Sequence, residues 1–279
     1  MTAPPANALR HKINEAAEFI RGKTSIAPQI GIILGTGMGA LSKEVKDATV
    51  IDYREIPHFP VSTVESHAGR LHLGQFGGKP VFMMQGRFHF YEGYSLQQVT
   101  FPVRVMRALG CDVLIVMNAV GSMNLLIPPG ALVIARDHIN LMGDNPLIGP
   151  NDEELGPRFP DMSEPYSRDL IVLAEAVALE RRIANVHRGV MVAVTGPNLE
   201  TAAEYRMFQR MGADIVTMST VPEVIVAVHG GMRVLGVSTV TDACLPDALH
   251  AATLEQIIKV AGEAEPRLTQ LITGVVEKI

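Results

Sequence analysis

The chain has 279 residues, with 24 lysines and arginines against 29 aspartates and glutamates, which gives a formal net charge of −5 at pH 7. That balance excludes the basic surface that binding to a nucleic acid or an anionic membrane requires. Tryptophan is absent, so an aromatic platform for stacking bases is not expected. Because 47% of the residues are apolar and only 19% are charged, we expect a large core and further surface buried against copies of the chain.

The sequence contains no uninterrupted apolar run long enough for a transmembrane helix, so none is predicted. The first residues, MTAPPANALRHKINEA, lack a basic segment followed by an apolar one, so no secretory signal is expected. The two cysteines, Cys111 and Cys244, form neither a disulfide framework nor a zinc pattern. We therefore expect a cytoplasmic protein that has no metal site.

Short apolar runs rich in β-branched residues alternate with helical patterns along the chain. Strands are predicted at Gln29–Leu34, Arg70–Phe76, Pro80–Gln85, Asp112–Asn118, Leu132–Arg136, Val190–Thr195, Ile215–Met218 and Val234–Thr239. Helices are predicted at Ala8–Arg21, Leu96–Leu109, Ser167–Glu180, Thr201–Met211, Pro222–Gly230 and Leu254–Val275, the last kinked or split at Pro266. The pattern predicts a single α/β domain over residues 1–279, with a central mixed, mainly parallel β-sheet flanked by helices.

A long segment from Asp137 to Ser167 has no sustained periodicity and carries five prolines and three glycines. It is longer than an ordinary connection, so we expect it to be either functional or disordered. Apolar residues scattered along it, such as Leu147, Leu155 and Phe159, favour an ordered loop that packs on the domain.

A glycine-rich segment follows the first predicted strand directly. In Gly35-Thr36-Gly37-Met38-Gly39, followed by a helix-like stretch, backbone N–H groups and the Thr36 hydroxyl could close on a small oxyanion. The glycine spacing is neither that of a dinucleotide-binding fingerprint nor that of a P-loop. The alternative is a tight turn that binds nothing.

The densest group of chemically useful side chains lies in MMQGRFHFYEGY, at the end of a predicted strand. Arg87 offers a guanidinium to an anion and His89 a second donor, while Glu92 can orient one of the two. Tyr91 can hydrogen-bond to a sugar and pack on it. Upstream, His67 lies between small residues and could donate to an anion or move a proton, although a solvated loop histidine is the simpler interpretation.

Four further polar segments follow predicted strands. They are Asn118-Ala119-Val120-Gly121, the turn that ends in Glu200, the turn that contains Ser219, and the segment that ends in Asp242. Each can also be a plain turn or a helix cap. Because strand ends meet at one edge of a sheet, their recurrence predicts one crevice. It would hold hydroxyls, an arginine, histidines and acids without a G-x-S-x-G nucleophile elbow, which indicates a metal-free site for a small oxyanion.

Together these segments resemble the trimeric purine nucleoside phosphorylases over essentially the whole chain. The resemblance rests on LGTGMG, ESHAGRL, MMQGRFHFYEGY, MNAVG, HINLMGDNPLIGPND, RFPDMS, TGPNLETAAE and GADIVTMSTVPEVIVA. It implies a pentosyltransferase that uses inorganic phosphate to cleave purine (2′-deoxy)ribonucleosides reversibly, giving the base and (deoxy)ribose 1-phosphate, in purine salvage. It implies no cofactor and no metal, and a homotrimer or a hexamer.

The resemblance also implies roles for individual residues. The phosphate would be bound by Thr36, His67, Arg87, His89, the backbone of Ala119, and Ser219. The nucleoside would be bound by Tyr91, Ala119, Leu199, Glu200, Met218 and Asp242, with Phe159 reaching in from a neighbouring subunit. Among these residues, those with an implied part in catalysis are His67, His89, Glu200 and Asp242.

Three positions depart from the family pattern. The 6-oxopurine enzymes carry asparagine where this chain has Asp242, and the related methylthioadenosine phosphorylases carry aspartate. An ionised Asp242 would repel O6 and N7 of a 6-oxopurine and accept from a 6-amino group, whereas a protonated Asp242 could donate to N7. The histidine for the ribose 5′-OH is absent from Thr253–Gln256, although His250 is near, and Leu199 replaces an aromatic residue.

These departures leave alternatives to a 6-oxopurine enzyme. One is a methylthioadenosine phosphorylase or an adenosine-accepting phosphorylase. A nucleoside-binding protein without catalysis, and a nucleosidase that uses water, are the others.

Overall fold

The computed structural model describes residues 7–61 and 68–279. Within these ranges the strands are β1 Ile30–Leu34, β2 Lys46–Asp52, β3 Arg70–Phe76, β4 Lys79–Gln85, β5 Val113–Ser122, β6 Leu132–Asn140, β7 Val186–Ala193, β8 Ile215–Thr217 and β9 Arg233–Ala243. The α-helices are α1 Ala8–Arg21, α2 Leu96–Val99, α3 Phe101–Ala108, α4 Arg168–Glu180, α5 Ala202–Arg210, α6 Val221–His229 and α7 Leu254–Lys278.

All of these strands belong to one sheet, in the order β2-β3-β4-β1-β5-β8-β7-β6-β9. Strand β9 pairs with β5 as well as with β6, so the last five strands of that order close into a ring. Strand β1 pairs in parallel with both β4 and β5, whereas β3 is antiparallel to β2 and to β4. The mixed, mainly parallel α/β sheet that the sequence predicts is confirmed.

The core lies on both faces of the central strands. Every residue of β1 is buried, as expected for a strand covered on both sides. Helix α1 buries Ile13, Ala16, Ala17 and Ile20, a spacing that places these side chains on one face, so the predicted amphipathic helix is confirmed. In the part of the chain that the structure describes, no helix combines the length and apolarity that crossing a membrane requires.

Several predicted boundaries are wrong, each for a local reason. The single helix expected at Leu96–Leu109 is two helices, α2 and α3, which meet at Thr100. Pro102, near the start of α3, has no N–H to continue the helical hydrogen bonds from α2. The strand β2 was not predicted, because it is a half-exposed edge strand with little apolar patterning. Helix α7 is not split at Pro266, and buried apolar residues on both sides of the proline hold it together.

Strands β5 and β9 continue beyond their predicted ends, Asn118 and Thr239. They pair with each other as far as Ser122 and Ala243, through a bulge between Val120 and Gly121. This pairing partner is remote in sequence, so local patterning gives no sign of it. As a consequence, Ala119 and Asp242 lie within strands and not in the turns that were expected.

The long segment between β6 and α4 is an ordered loop, as predicted. Leu147, Leu155 and Met162 pack against the core. His229 at the end of α6 joins this loop to the helices, because Nε2 is 3.4 Å from Asn151 Oδ1 and Nδ1 is 3.4 Å from Arg104 Nη1. The loop is therefore anchored by a buried polar contact as well as by apolar packing.

His229 should make the fold sensitive to acid. Burial, followed by the nearby Arg104, lowers the pKa of His229 to about 4, whereas an unfolded histidine titrates at about 6.5. Between pH 4 and pH 6.5 the unfolded chain binds more protons than the folded protein. The contribution of neutral His229 to the free energy of unfolding is therefore fully present above about pH 6.5 and is lost as the pH falls towards 4. We expect this residue to account for about 1–2 kcal/mol of lost unfolding free energy between pH 7 and pH 5. Urea unfolding of wild type and His229→Gln at both pH values measures it, and equal losses in the two proteins would contradict the assignment.

Candidate active site

A cavity of about 210 Å³ opens where the sheet divides. Strand β1 pairs with β5 only as far as Val116, and β8 joins β5 from Gly121 onwards. The edge of β5 between these points has no strand on that side, which creates the crevice that the strand-end segments predict. Ten of the predicted site residues line the cavity: Thr36, Arg87, His89, Tyr91, Ala119, Leu199, Glu200, Met218, Ser219 and Asp242.

The glycine-rich turn after β1 fits closely between strand ends. A Cβ on Gly35 would lie 2.8 Å from Asn118 Cα and 2.9 Å from the Met117 carbonyl oxygen, so only glycine fits without a shift. The helix-like stretch expected after this turn is a short 3-10 helix, Gly39–Glu44. A helix this short contributes little dipole to an anion. Anion binding at this end therefore depends on Thr36 and on other side chains.

Arg87 is the centre of the polar end of the cavity. Its side chain is 2% exposed, and Nη1 donates to Ser219 Oγ at 3.0 Å and to Thr220 Oγ1 at 2.9 Å. Nη2 donates to the Met117 carbonyl oxygen. Glu223, equally buried, forms an ion pair with Arg87 at 3.5 Å. Burial lowers the pKa of Arg87 and Glu223 offsets part of that effect, so the guanidinium stays charged beside the cavity.

Ser219 is held beside Arg87 by a strained turn. Thr220 has φ +70° and is completely buried, and the Val221 N–H donates to the Ser219 carbonyl oxygen at 2.8 Å, which closes a γ-turn. Such a backbone is costly for a β-branched residue and needs support from its surroundings. Arg87 supplies that support through the Thr220 hydroxyl, and Thr217 Oγ1 accepts from the Ser219 N–H at 3.2 Å.

Glu92 orients His89. The sequence left open whether Glu92 orients Arg87 or His89. Glu92 Oε1 lies 2.8 Å from the His89 backbone nitrogen, which donates to it, and 3.1 Å from His89 Nδ1. The imidazole stacks on the Tyr91 ring, with centroids 4.6 Å apart. Burial, followed by Glu92, raises the pKa of Tyr91 to about 12, so its phenol stays protonated and can donate to a ligand.

Two carboxylates face the other end of the cavity. Asp242 Oδ1 accepts from Thr241 Oγ1 at 2.8 Å, and Asp242 Oδ2 accepts from Cys244 Sγ at 3.0 Å. Burial raises the pKa of the Glu200 carboxyl. This end of the cavity can therefore recognise the polar edge of a ring, while the Arg87 end can hold an oxyanion.

Some residues of the cavity wall were not singled out from the sequence. Cys244 directly follows the end of β9, two residues after Asp242, so the period of two in extended backbone could have identified it. Tyr205 lies on α5, which begins just after Glu200, and it lines the same cavity. Leu254 and Ile257, at the start of α7, form an apolar wall that no local pattern predicts.

Of the two remaining predicted site residues, only Phe159 can be compared with the cavity, and it does not line it. His67 lies outside the described residues. Phe159 is 88% exposed on the long loop and borders a separate depression with His138 and Ile148. Its predicted place in a neighbouring subunit's cavity stays a prediction.

The class of protein is defined by a mixed α/β sheet with a cavity where the sheet divides, with Arg87 and hydroxyl groups at one end of the cavity and two carboxylates at the other. Residues 29–277 match the model of the phosphorylase superfamily. Purine nucleoside phosphorylase 1 of Geobacillus stearothermophilus is 51% identical over 97% of this chain and 98% of its own length.

Solved structures of purine nucleoside phosphorylases have the same fold as this chain. Isoform 2 of purine nucleoside phosphorylase from Schistosoma mansoni, in complex with cytosine and ribose-1-phosphate, superimposes with a TM-score of 0.94 at 39% identity, over 100% of this chain and 99% of that chain. A schistosoma purine nucleoside phosphorylase in complex with hypoxanthine gives a TM-score of 0.92 at 41% identity, over 99% of each chain. The chain belongs to the purine nucleoside phosphorylase family of the phosphorylase superfamily, as its motifs predict.

Proposed function

We propose that this protein catalyses the reversible phosphorolysis of purine (2′-deoxy)ribonucleosides to the free base and (deoxy)ribose 1-phosphate. The observation that carries the proposal is that one cavity joins the Arg87–Ser219 end to the Glu200–Asp242 end. An oxyanion at the first end and a base at the second would leave the sugar between them, against Tyr91 and Met218. The names of the relatives support the same reaction.

The chemistry follows from this arrangement. As the bond to the base lengthens, the sugar gains positive charge, and a phosphate held beside it stabilises that charge and attacks the anomeric carbon. Thr36, Arg87, His89 and Ser219 would hold and orient the phosphate, with Ala119 contributing its backbone and His67 assisting. Electrons that leave with the base need a hydrogen-bonding partner, which is the role proposed for Glu200 and Asp242. These residues suffice without a cofactor, since phosphate is itself the nucleophile.

The environment of Asp242 favours 6-aminopurine substrates as the alternative to 6-oxopurines. Both of its oxygens already accept hydrogen bonds, from Thr241 and Cys244, so an ionised Asp242 can only accept from the base. Leu254 and Ile257 form an apolar wall beside the stretch where the family has its 5′-OH histidine. Apolar side chains there suit a 5′-methylthio group, so methylthioadenosine is a second candidate substrate.

Parallel assays test the function. Inosine, guanosine, adenosine and methylthioadenosine are incubated with the enzyme, with and without phosphate, and base and sugar phosphate are measured. We expect base release only with phosphate. Turnover of methylthioadenosine alone would assign the second candidate, base release without phosphate would indicate a nucleosidase, and binding without turnover would indicate a nucleoside-binding protein.

We further propose a homotrimer, or a hexamer built from trimers, that works in cytoplasmic purine salvage. The exposed Phe159 on the long loop supports such an assembly, since an aromatic ring 88% exposed is typical of an interface. The two buried free thiols are consistent with a reducing compartment.

Phe159→Ala tests the shared site. We expect the KM for nucleoside to rise about 10-fold, as is typical when a buried aromatic contact is lost, while the KM for phosphate changes little. Arg158→Ala, which removes the neighbouring side chain on the same loop, is the matched control. Equal losses for both substrates would count against Phe159 in a neighbour's cavity, and sedimentation of each variant reports the assembly.

A further inference from the structure

The carboxylate of Asp242 at the base end is held by hydrogen bonds from two neighbouring residues of the cavity wall. Cys244 Sγ donates to Asp242 Oδ2 at 3.0 Å, and Thr241 Oγ1 donates to Asp242 Oδ1 at 2.8 Å. Tyr205 lines the same cavity. We name the three hydrogen-bonded residues Thr241, Asp242 and Cys244 the acid bridge.

The backbone around the acid bridge is built to hold Cys244 in place. The Cys244 N–H donates to the Ser122 carbonyl oxygen at 2.7 Å. A Cβ on Gly121 would lie 2.4 Å from Cys244 Sγ and 3.2 Å from Asp242 Oδ2, so the absence of a side chain at Gly121 makes the room for the thiol and the carboxylate. Tyr205 and Cys244 are each 2% exposed, within a small apolar cluster. Water therefore competes little with these hydrogen bonds.

In the acid bridge the Cys244 thiol is a hydrogen-bond donor and the Asp242 carboxylate is the acceptor. Burial, followed by Asp242, raises the pKa of the Cys244 thiol, so it remains an S–H donor. Thr241 supplies a second donor to the other oxygen of Asp242. With a donor on each oxygen, the carboxylate has a fixed orientation, and its remaining lone pairs can only accept from a ligand.

We propose that Cys244 is a positioning residue that determines base specificity, because through its hydrogen bond it holds Asp242 as an acceptor that selects purines with an exocyclic 6-amino group over 6-oxopurines. The inference rests on the proposed phosphorolysis and names a residue that sets the substrate class for that same site. A 6-amino group donates to Asp242, whereas O6 of a 6-oxopurine meets a second acceptor. Cys244 does not need to contact the substrate for this effect.

Removing the thiol tests the proposal. The ratio of kcat/KM for adenosine to kcat/KM for inosine is measured for wild type, Cys244→Ala and Cys244→Ser. We expect Cys244→Ala to lower this ratio about 10-fold, since the loss of one hydrogen bond to a charged group is worth about that factor. Cys244→Ser keeps a donor and should stay within about 3-fold of wild type.

Cys111→Ala is the matched control, because Cys111 is a completely buried thiol just before β5, outside the cavity wall. It should lower the thermal midpoint as Cys244→Ala does and leave the substrate ratio unchanged. If Cys244→Ala reduces turnover of both nucleosides equally, or if Cys244→Ser fails to restore the ratio, the inference is wrong and the proposed function stands. If wild type converts no purine nucleoside with phosphate, the proposed function itself is wrong.

Discussion

Arg87→Ala should lower kcat/KM for phosphate at least 100-fold and also destabilise the protein. The guanidinium is the charged donor at the oxyanion end, and loss of one preorganised donor to a developing charge typically reduces the rate by a factor of about 100–1,000. The same substitution leaves Glu223, 2% exposed, without its ion-pair partner. Breaking a buried pair in this way costs about 3–5 kcal/mol of unfolding free energy. Phosphorolysis kinetics and urea unfolding measure the two effects.

Two further variants separate activity from stability. Arg87→Ala combined with Glu223→Gln removes the unpaired carboxylate, so it should recover part of the stability and none of the activity. Arg87→Lys keeps the charge but not the guanidinium, in which Nη1 donates to Ser219 and Thr220 while Nη2 donates to the Met117 carbonyl oxygen, so it should be more stable than Arg87→Ala and still impaired towards phosphate. Unchanged phosphate binding and phosphorolysis in all three would overturn the phosphate role of Arg87.

Asp242→Asn should change base preference more than any other single substitution in the cavity. The amide can donate as well as accept, so it should pair with O6 or N7 of a 6-oxopurine and lose its advantage for a 6-amino group. We expect the ratio of kcat/KM for inosine to kcat/KM for adenosine to rise about 10- to 100-fold, as unpaired polar groups in a binding site do affect selectivity on this scale.

Asp214→Asn is the control for this substitution. Asp214 Oδ2 accepts from the Val190 N–H at 2.8 Å and Oδ1 accepts from Asn124 Nδ2 at 2.8 Å, and the residue does not line the cavity. Its amide variant should lower the unfolding free energy without moving the substrate ratio. An unchanged ratio in Asp242→Asn would mean that Asp242 does not face the base.

Much of this architecture could be predicted because its causes are local. The apolar runs identify β1, β3 and β4 almost to the residue, and the spacing of Ile13 and Ile20 identifies α1. The segment around Arg87 could be identified as a ligand site because its side chains are unusually rich in donors for so short a stretch. Glu92 is close enough in sequence to His89 for their hydrogen bond to be anticipated.

Other features depend on partners that are far apart in sequence. The extension of β5 to Ser122 depends on its pairing with β9. The strained backbone at Thr220 is supported by a hydrogen bond from Arg87, which is more than 100 residues away in the sequence. Glu200 and Asp242 line one cavity although about 40 residues separate them in the sequence.

By itself, then, the sequence determined the fold class, the family and most of the residues at the site, since these depend on local apolar periodicity and on short motifs. The tertiary structure alone decided that the guanidinium of Arg87 is tied to Ser219 and Glu223, and that both oxygens of Asp242 already have donors. The physical reason is that hydrogen-bond partners and burial are set by which strands meet. Those contacts, more than residue identity, fix the orientation of the Asp242 carboxylate.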